Sequence, residues 1–141
     1  ALSLPYQIEY GGAFLKDAAH LAGLGVIGRN NLLITPEYGP RVRLRGIFMD
    51  AALTPTGPLD FHPCDDCDRP CHRACPRNAF RSGSFQRAFC KKENDRREAD
   101  FEIVDGAVMG IAEPSKVTKP CRFCEFACPV AQEGAPSQFM A

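Results

Sequence analysis

Cys64-Asp65-Asp66-Cys67-Asp68-Arg69-Pro70-Cys71-His72-Arg73-Ala74-Cys75-Pro76 and, further along the chain, Cys121-Arg122-Phe123-Cys124-Glu125-Phe126-Ala127-Cys128-Pro129 decide how this sequence is read. The first group separates its cysteines by two, three and three residues, the second by two and three, and each ends in Cys-Pro. Cys90 stands alone between them and completes a total of eight cysteines. Cysteines that staple distant loops would be spread out, not bunched. Thiolates this close in sequence can converge on one metal centre while the backbone amides between them curl around it. A proline directly after the last ligand fixes φ and turns the chain away.

Four thiolates hold one 4Fe–4S cluster, so eight hold two. In two-cluster ferredoxins the cysteine before proline ligates the other cluster. Applied here, that rule gives a crossed scheme: Cys64, Cys67, Cys71 and Cys128 for one cluster, Cys75, Cys90, Cys121 and Cys124 for the other. No cysteine is left over. The first group departs from the usual run by placing three residues, not two, between Cys67 and Cys71. A three-iron cluster in that half would leave one cysteine unused. Two tetrahedral zinc sites would also consume eight thiolates and would make the chain a zinc-stabilised binding module. The Cys-Pro endings and the split fourth ligand fit iron–sulfur better. A disulfide framework needs a secreted context, and no export signal is visible. A redox Cys-x-x-Cys pair would leave the other cysteines unexplained.

Upstream of the first group, residues 54–63 hold Pro55, Gly57, Pro58 and Pro63 and read as a stiff connector. Residues 1–53 carry no cysteine. Phe14, Leu15, Ala18, Leu21 and Ala22 recur at helical spacing, so a helix is predicted over about 12–22, stopped by Gly23-Leu24-Gly25. Leu32-Leu33-Ile34 reads as a short strand, Tyr38-Gly39-Pro40 as a turn, and Arg43–Leu53 as a second strand. Downstream, Lys91–Asp100 carries four positive and four negative side chains and reads as a solvated helix face or loop. Glu102-Ile103-Val104 and Ala107-Val108-Met109 flank Asp105-Gly106, a hairpin signal. Residues 130–141 look like a tail. Ile47, Phe48, Phe80, Ile103 and Phe123 are the expected core beside the clusters. His20, His62 and His72 read as surface or packing residues, although His72 is placed to hydrogen-bond a cluster sulfur.

Composition narrows the class. The chain has 141 residues, of which 45% are hydrophobic, so a folded domain is expected. Lysine plus arginine equals aspartate plus glutamate at 17 each, which argues against a large nucleic-acid footprint. No apolar run approaches the roughly 18 residues of a membrane span. The start, Ala1-Leu2-Ser3-Leu4-Pro5-Tyr6, has neither a signal peptide nor an initiator methionine, so the reading is a cytoplasmic chain that is a processed product or a fragment.

Ala22-Gly23-Leu24-Gly25-Val26-Ile27-Gly28-Arg29-Asn30 followed by Leu32-Leu33-Ile34-Thr35-Pro36-Glu37-Tyr38-Gly39 resembles a segment shared by epoxyqueuosine reductases and reductive dehalogenases. Pro40-Arg41-Val42-Arg43-Leu44 is closer to the dehalogenases; Cys90 and the second cysteine group are closer to the epoxyqueuosine reductases. The resemblance covers about residues 9–130. It implies a cobalamin-dependent oxidoreductase superfamily with two 4Fe–4S clusters in a ferredoxin-like domain. The fold class it implies is α+β: residues 1–53 as a helix–strand segment of a corrinoid-enzyme-like core, and residues 54–141 as the two-cluster domain. In that family the clusters pass single electrons to the corrinoid, and the glycine-rich segment lies near it. Gly23, Gly25 and Gly28 would let backbone approach a flat cofactor, with Arg29 and Asn30 bonding its polar groups. Glu9 or Tyr10 would be the proton donor. A ferredoxin or flavodoxin is the implied electron donor. The family's corrinoid-binding region is not among these residues, so the chain is a fragment, has a partner domain or subunit that supplies the rest, or keeps only the electron-transfer portion. A stand-alone two-cluster electron carrier is the alternative that the cysteines alone would support.

Overall fold

The computed structural model describes residues 15–47, 49–105 and 113–132, and shows a small mixed α+β protein. These residues fall into two compact units. One runs to Asp68 and resumes at Cys128; the other is Arg69–Ala127.

In the first unit, helix α1 spans Leu15–Leu21. Gly23 ends it in a left-handed turn with φ 73°. The Gly23 amide donates to the His20 carbonyl at 3.0 Å and the Leu24 amide to the Ala19 carbonyl at 2.9 Å. This pair of bonds satisfies carbonyls that the helix end would otherwise orphan. His20 Nδ1 sits 3.0 Å from the Gly25 carbonyl and ties the turn back to the helix. Strand β1, Val26–Ile27, then pairs antiparallel with β2, Leu33–Ile34, in the register Val26 to Ile34 and Ile27 to Leu33. Leu33 and Ile34 are both buried, and Ile34 packs with Cys128 and Val130 in the unit's core.

That packing leaves no room at Gly25. A Cβ there would lie 2.3 Å from the Ile34 carbonyl oxygen and 3.1 Å from the Thr35 Cα, which are backbone atoms that cannot swing aside. Gly25→Ala is therefore expected to prise β1 from β2 and to cost about 1–3 kcal/mol. Chemical denaturation of the variant against the parent checks it; equal stability would contradict the packing described.

The predicted strand over Arg43–Leu53 is not formed by the described residues of that stretch. Ile47, Met49 and Leu53 are exposed at 85%, 65% and 71%, and among the described residues no strand pairs with this stretch. Arg41 is used differently. Its guanidinium donates to the carbonyls of Cys128 and Val130 and so anchors the chain on either side of Pro129.

The second unit opens with helix α2, Pro70–Arg73, which packs on α4, Phe123–Phe126. Helix α3, Arg87–Ala99, contains most of the mixed-charge run. Its Lys91–Asp95 pair, 2.8 Å apart and half exposed, is the solvated face that was expected. Strand β3, Glu102–Val104, forms, but its partner is β4, Ser115–Val117, in register Glu102 to Val117. The expected partner stretch 107–109 lies outside the described residues. Of the expected core, only Phe80 is buried. Ile47, Ile103 and Phe123 are exposed, and Phe48 lies outside the described residues. Among the described residues, the paired strands are two or three residues long and offer too little surface to cover them.

Among the described residues no helix is long and apolar enough to cross a membrane.

Candidate metal centres

All eight cysteines are described, and none is in a disulfide. The two Cys-Pro endings are built alike. Helix α2 is followed by Ala74 at φ −74°, ψ −8°, then Cys75-Pro76; α4 is followed by Ala127 at φ −78°, ψ −9°, then Cys128-Pro129. A proline two residues beyond each helix cap stops it after one turn. The repeat seen in the cysteine spacing is thus a repeat of backbone conformation.

In the second unit, Cys75, Cys90, Cys121 and Cys124 line one cavity of about 30 Å³ together with Ala79, Phe80 and Phe85. A single water needs only about 10–15 Å³ on this measure. Four elements deliver these four thiols: the end of the α2 turn, helix α3, the loop before α4, and α4 itself. Burial first, and then the neighbouring sulfurs of Cys121, Cys90, Cys71 and Cys75, pushes the Cys124 thiol up to about 12. The same two causes push Cys90 up, opposed by its hydrogen bond with Asn94. Thiols gathered out of water cannot all ionise unless a cation compensates them, and metal binding does that outright. Donors to sulfur are in place as well. The Ala79 amide is 3.3 Å from Cys75 Sγ, and Asn94 Nδ2 is 3.6 Å from Cys90 Sγ. The side chains present fit a thiolate-ligated cluster.

In the first unit, Cys64 and Cys128 share the core with Ile34 and Val130. Burial raises the Cys128 thiol, with further raising by Cys64 and Cys67. Cys64, Cys67 and Cys128 therefore stand near one another. Cys71, assigned with them from the sequence, belongs to the second unit, where it is buried in α2 and is felt by Cys124. It does not line the four-thiol cavity. Among the described residues, no three His, Cys, Asp or Glu side chains are arranged to hold a single metal ion.

Sequence reasoning missed Asn94 and Glu93. Asn94 lies one helical turn beyond Cys90. It donates to the Cys90 carbonyl at 3.3 Å and accepts the Cys121 amide at 3.0 Å, so it ties two predicted ligands together. The i to i+4 spacing from a helical cysteine was the available signal. Asn94→Ala is expected to weaken iron retention at this site by roughly 10–100-fold, as loss of groups that orient metal ligands does. Iron release to a chelator, timed against the parent, measures it; unchanged release would contradict the role. Glu93 is buried beside the same cavity and receives Arg77 at 2.9 Å, Arg96 at 2.7 Å and Arg97 at 3.0 Å. Hydrogen bonding from Arg96 is the largest cause that holds its carboxyl down at about 2.

The glycine-rich segment has structural duties of its own, at the α1 cap and against β2. Gly28 and Arg29 also line a cleft of about 430 Å³ with His20, Phe61, His62 and Cys64. Asn30 is buried, and its Oδ1 accepts the Leu32 amide at 3.2 Å. His72 stacks on Phe80, with ring centroids 4.4 Å apart and planes 4° apart, which is the packing role expected of it. Glu9 and Tyr10 lie outside the described residues.

The tetrachloroethene reductive dehalogenase of Sulfurospirillum multivorans is 42% identical over 64 residues, which are 44% of this chain and 13% of that protein. The epoxyqueuosine reductase of Lactococcus garvieae (strain Lg2) is 26% identical over 136 residues, 94% of this chain and 36% of that protein. That of Listeria monocytogenes serovar 1/2a is 41% identical over 58 residues, 41% of this chain and 15% of that protein. The chain therefore spans only a minor part of the curated relatives it matches. No family model and no solved structure matches it.

Proposed function

We propose that this partial homologue of the reductive dehalogenases and epoxyqueuosine reductases is the electron-transfer portion of a cobalamin-dependent reductase, working in the cytoplasm. The single observation that carries the reading is the gathering of Cys75, Cys90, Cys121 and Cys124 around one cavity, with amide donors aimed at two of the sulfurs. Those four would hold one 4Fe–4S cluster. Cys64, Cys67 and Cys128, with Cys71 assigned from sequence spacing, would hold the other in a ferredoxin-like domain. Such clusters exchange one electron at a time at low potential.

The chain's own residues have supporting parts. Asn94 and the Ala79 amide would stabilise negative charge on sulfur, and stabilising the more reduced state raises a potential. Phe80 and Phe85 supply apolar walls to the cavity. Gly28 and Arg29, which line the cleft beside Cys64, would face the corrinoid, with Glu9 or Tyr10 as proton donor; Gly23, Gly25 and Asn30 would hold the backbone that presents them. The corrinoid-binding region itself would come from a further domain or a partner subunit.

An anaerobic redox titration followed by electron paramagnetic resonance tests this. Two one-electron signals, each integrating to about one spin per chain, are expected. A protein that stays silent under strong reductant and carries zinc would overturn the reading.

A further inference from the structure

The second unit carries a cleft of about 340 Å³ whose walls are Arg97, Lys119, Arg122, Phe123 and Phe126, with Thr118 and Pro120 beside them. Among the described residues, no acidic side chain lines it. Each of its three cations has a carboxylate partner, but two of those partners are withdrawn from solvent. Glu93 pairs with Arg97 and Glu125 pairs with Arg122, and both carboxylate side chains are only 7% exposed. The third pair, Lys119 with Glu102, is fully at the surface, where it holds little energy and is readily exchanged. At the two arginine pairs the cation is the more exposed partner, whereas Glu102 stands exposed beside Lys119, with Asp100 near it. Phe123 and Phe126 stay half exposed, each under an arginine at 5.3 Å and 4.3 Å. Aromatic and arginine side chains together are the composition of a protein-binding centre.

The position of this cleft matters as much as its charge. Its lining alternates along the chain with two candidate ligands: Lys119-Pro120-Cys121-Arg122-Phe123-Cys124-Glu125-Phe126. Arg122 adjoins Cys121 and Phe123 adjoins Cys124 along the chain, so a partner docked on them stands next to the residues that carry both thiols.

We propose that this cleft is the docking surface for an acidic one-electron carrier protein, which delivers electrons at the Cys121–Cys124 side. The proposal rests on the reading of Cys75, Cys90, Cys121 and Cys124 as cluster ligands. In each transfer the carrier would lose one electron and a cluster held by Cys75, Cys90, Cys121 and Cys124 would gain it. No bond forms or breaks. The surface cations steer the encounter, so their effect falls as salt screens them.

The test uses the chain purified without oxygen and an acidic bacterial flavodoxin as the probe, with reduced methyl viologen, a small cation, as the control reductant. Lys119→Glu and, separately, Arg122→Gln are expected to slow reduction by flavodoxin by roughly tenfold at low salt. Reduction by methyl viologen should stay within about twofold of the parent. A carbodiimide cross-link from Lys119 to a flavodoxin carboxylate, located by mass spectrometry, should form in the parent and vanish in high salt. Flavodoxin rates that ignore both substitutions and salt, with normal viologen reduction, overturn the docking surface alone. A chain that accepts no electron from viologen overturns the cluster reading beneath it. Competition of a tRNA transcript for this face, abolished by Lys119→Glu with flavodoxin rates unaffected, would assign the cleft to nucleic acid and overturn the proposal.

Discussion

Replacing Cys124 with serine is expected to remove about half of the protein's iron and acid-labile sulfide, about four of each per chain, and to leave the rest in place. Cys124 lines the cavity with Cys75, Cys90 and Cys121, whereas Cys64, Cys67 and Cys128 are grouped in the other unit. Serine is nearly isosteric but is a poor ligand for iron. It offers no thiol to ionise and ligate iron. Cys128→Ser should remove the complementary half. Iron and sulfide analysis of both variants, each prepared without oxygen, checks the partition. Complete loss in both would mean one interdependent site; no loss in either would mean that these thiols hold no cluster.

Stripping the metal from the intact protein should have the largest effect on stability. The buried apolar residues of the second unit are Cys71, Ala79 and Phe80 among those described, and the first unit adds Ala19, Leu33, Ile34, Cys128 and Val130. So small a core does not offset the chain entropy of two units. In metal-dependent small domains the binding energy is folding energy. Chelation under oxidising conditions is therefore expected to lower the midpoint of thermal unfolding by tens of degrees, or to abolish a cooperative transition. Calorimetry before and after stripping measures it. An unchanged midpoint would show that the fold stands without the clusters.

Much of this was legible in the sequence, for reasons that are local. The α1 stop at Gly23, the Leu33–Ile34 strand and the left-handed Gly39 all follow from residues within one turn of the feature. The cysteine groups were legible because short spacings leave the thiols few places to go. The misreadings are non-local. Arg43–Leu53 has strand-like alternation but no ladder to join, and alternation alone does not bury a residue. Glu102–Val104 pairs with Ser115–Val117, a segment without a turn signal of its own, while the 107–109 stretch lies outside the described residues. Asn94 and Glu93 were hidden inside a charge run. One faces two cysteines that are far apart in sequence, and the other is sunk among three arginines. The i to i+4 spacing from Cys90 was the one sequence signal for Asn94, whereas only the three-dimensional arrangement separates Glu93 from the solvated Lys91 and Asp95 beside it.

The central claim is that eight cysteines hold two iron–sulfur clusters, and metal and sulfide stoichiometry tests it most directly. Protein purified without oxygen should contain about eight irons and about eight acid-labile sulfides per chain, with no stoichiometric zinc. About two zinc ions per chain and no sulfide would contradict the account and identify a pair of structural zinc sites instead.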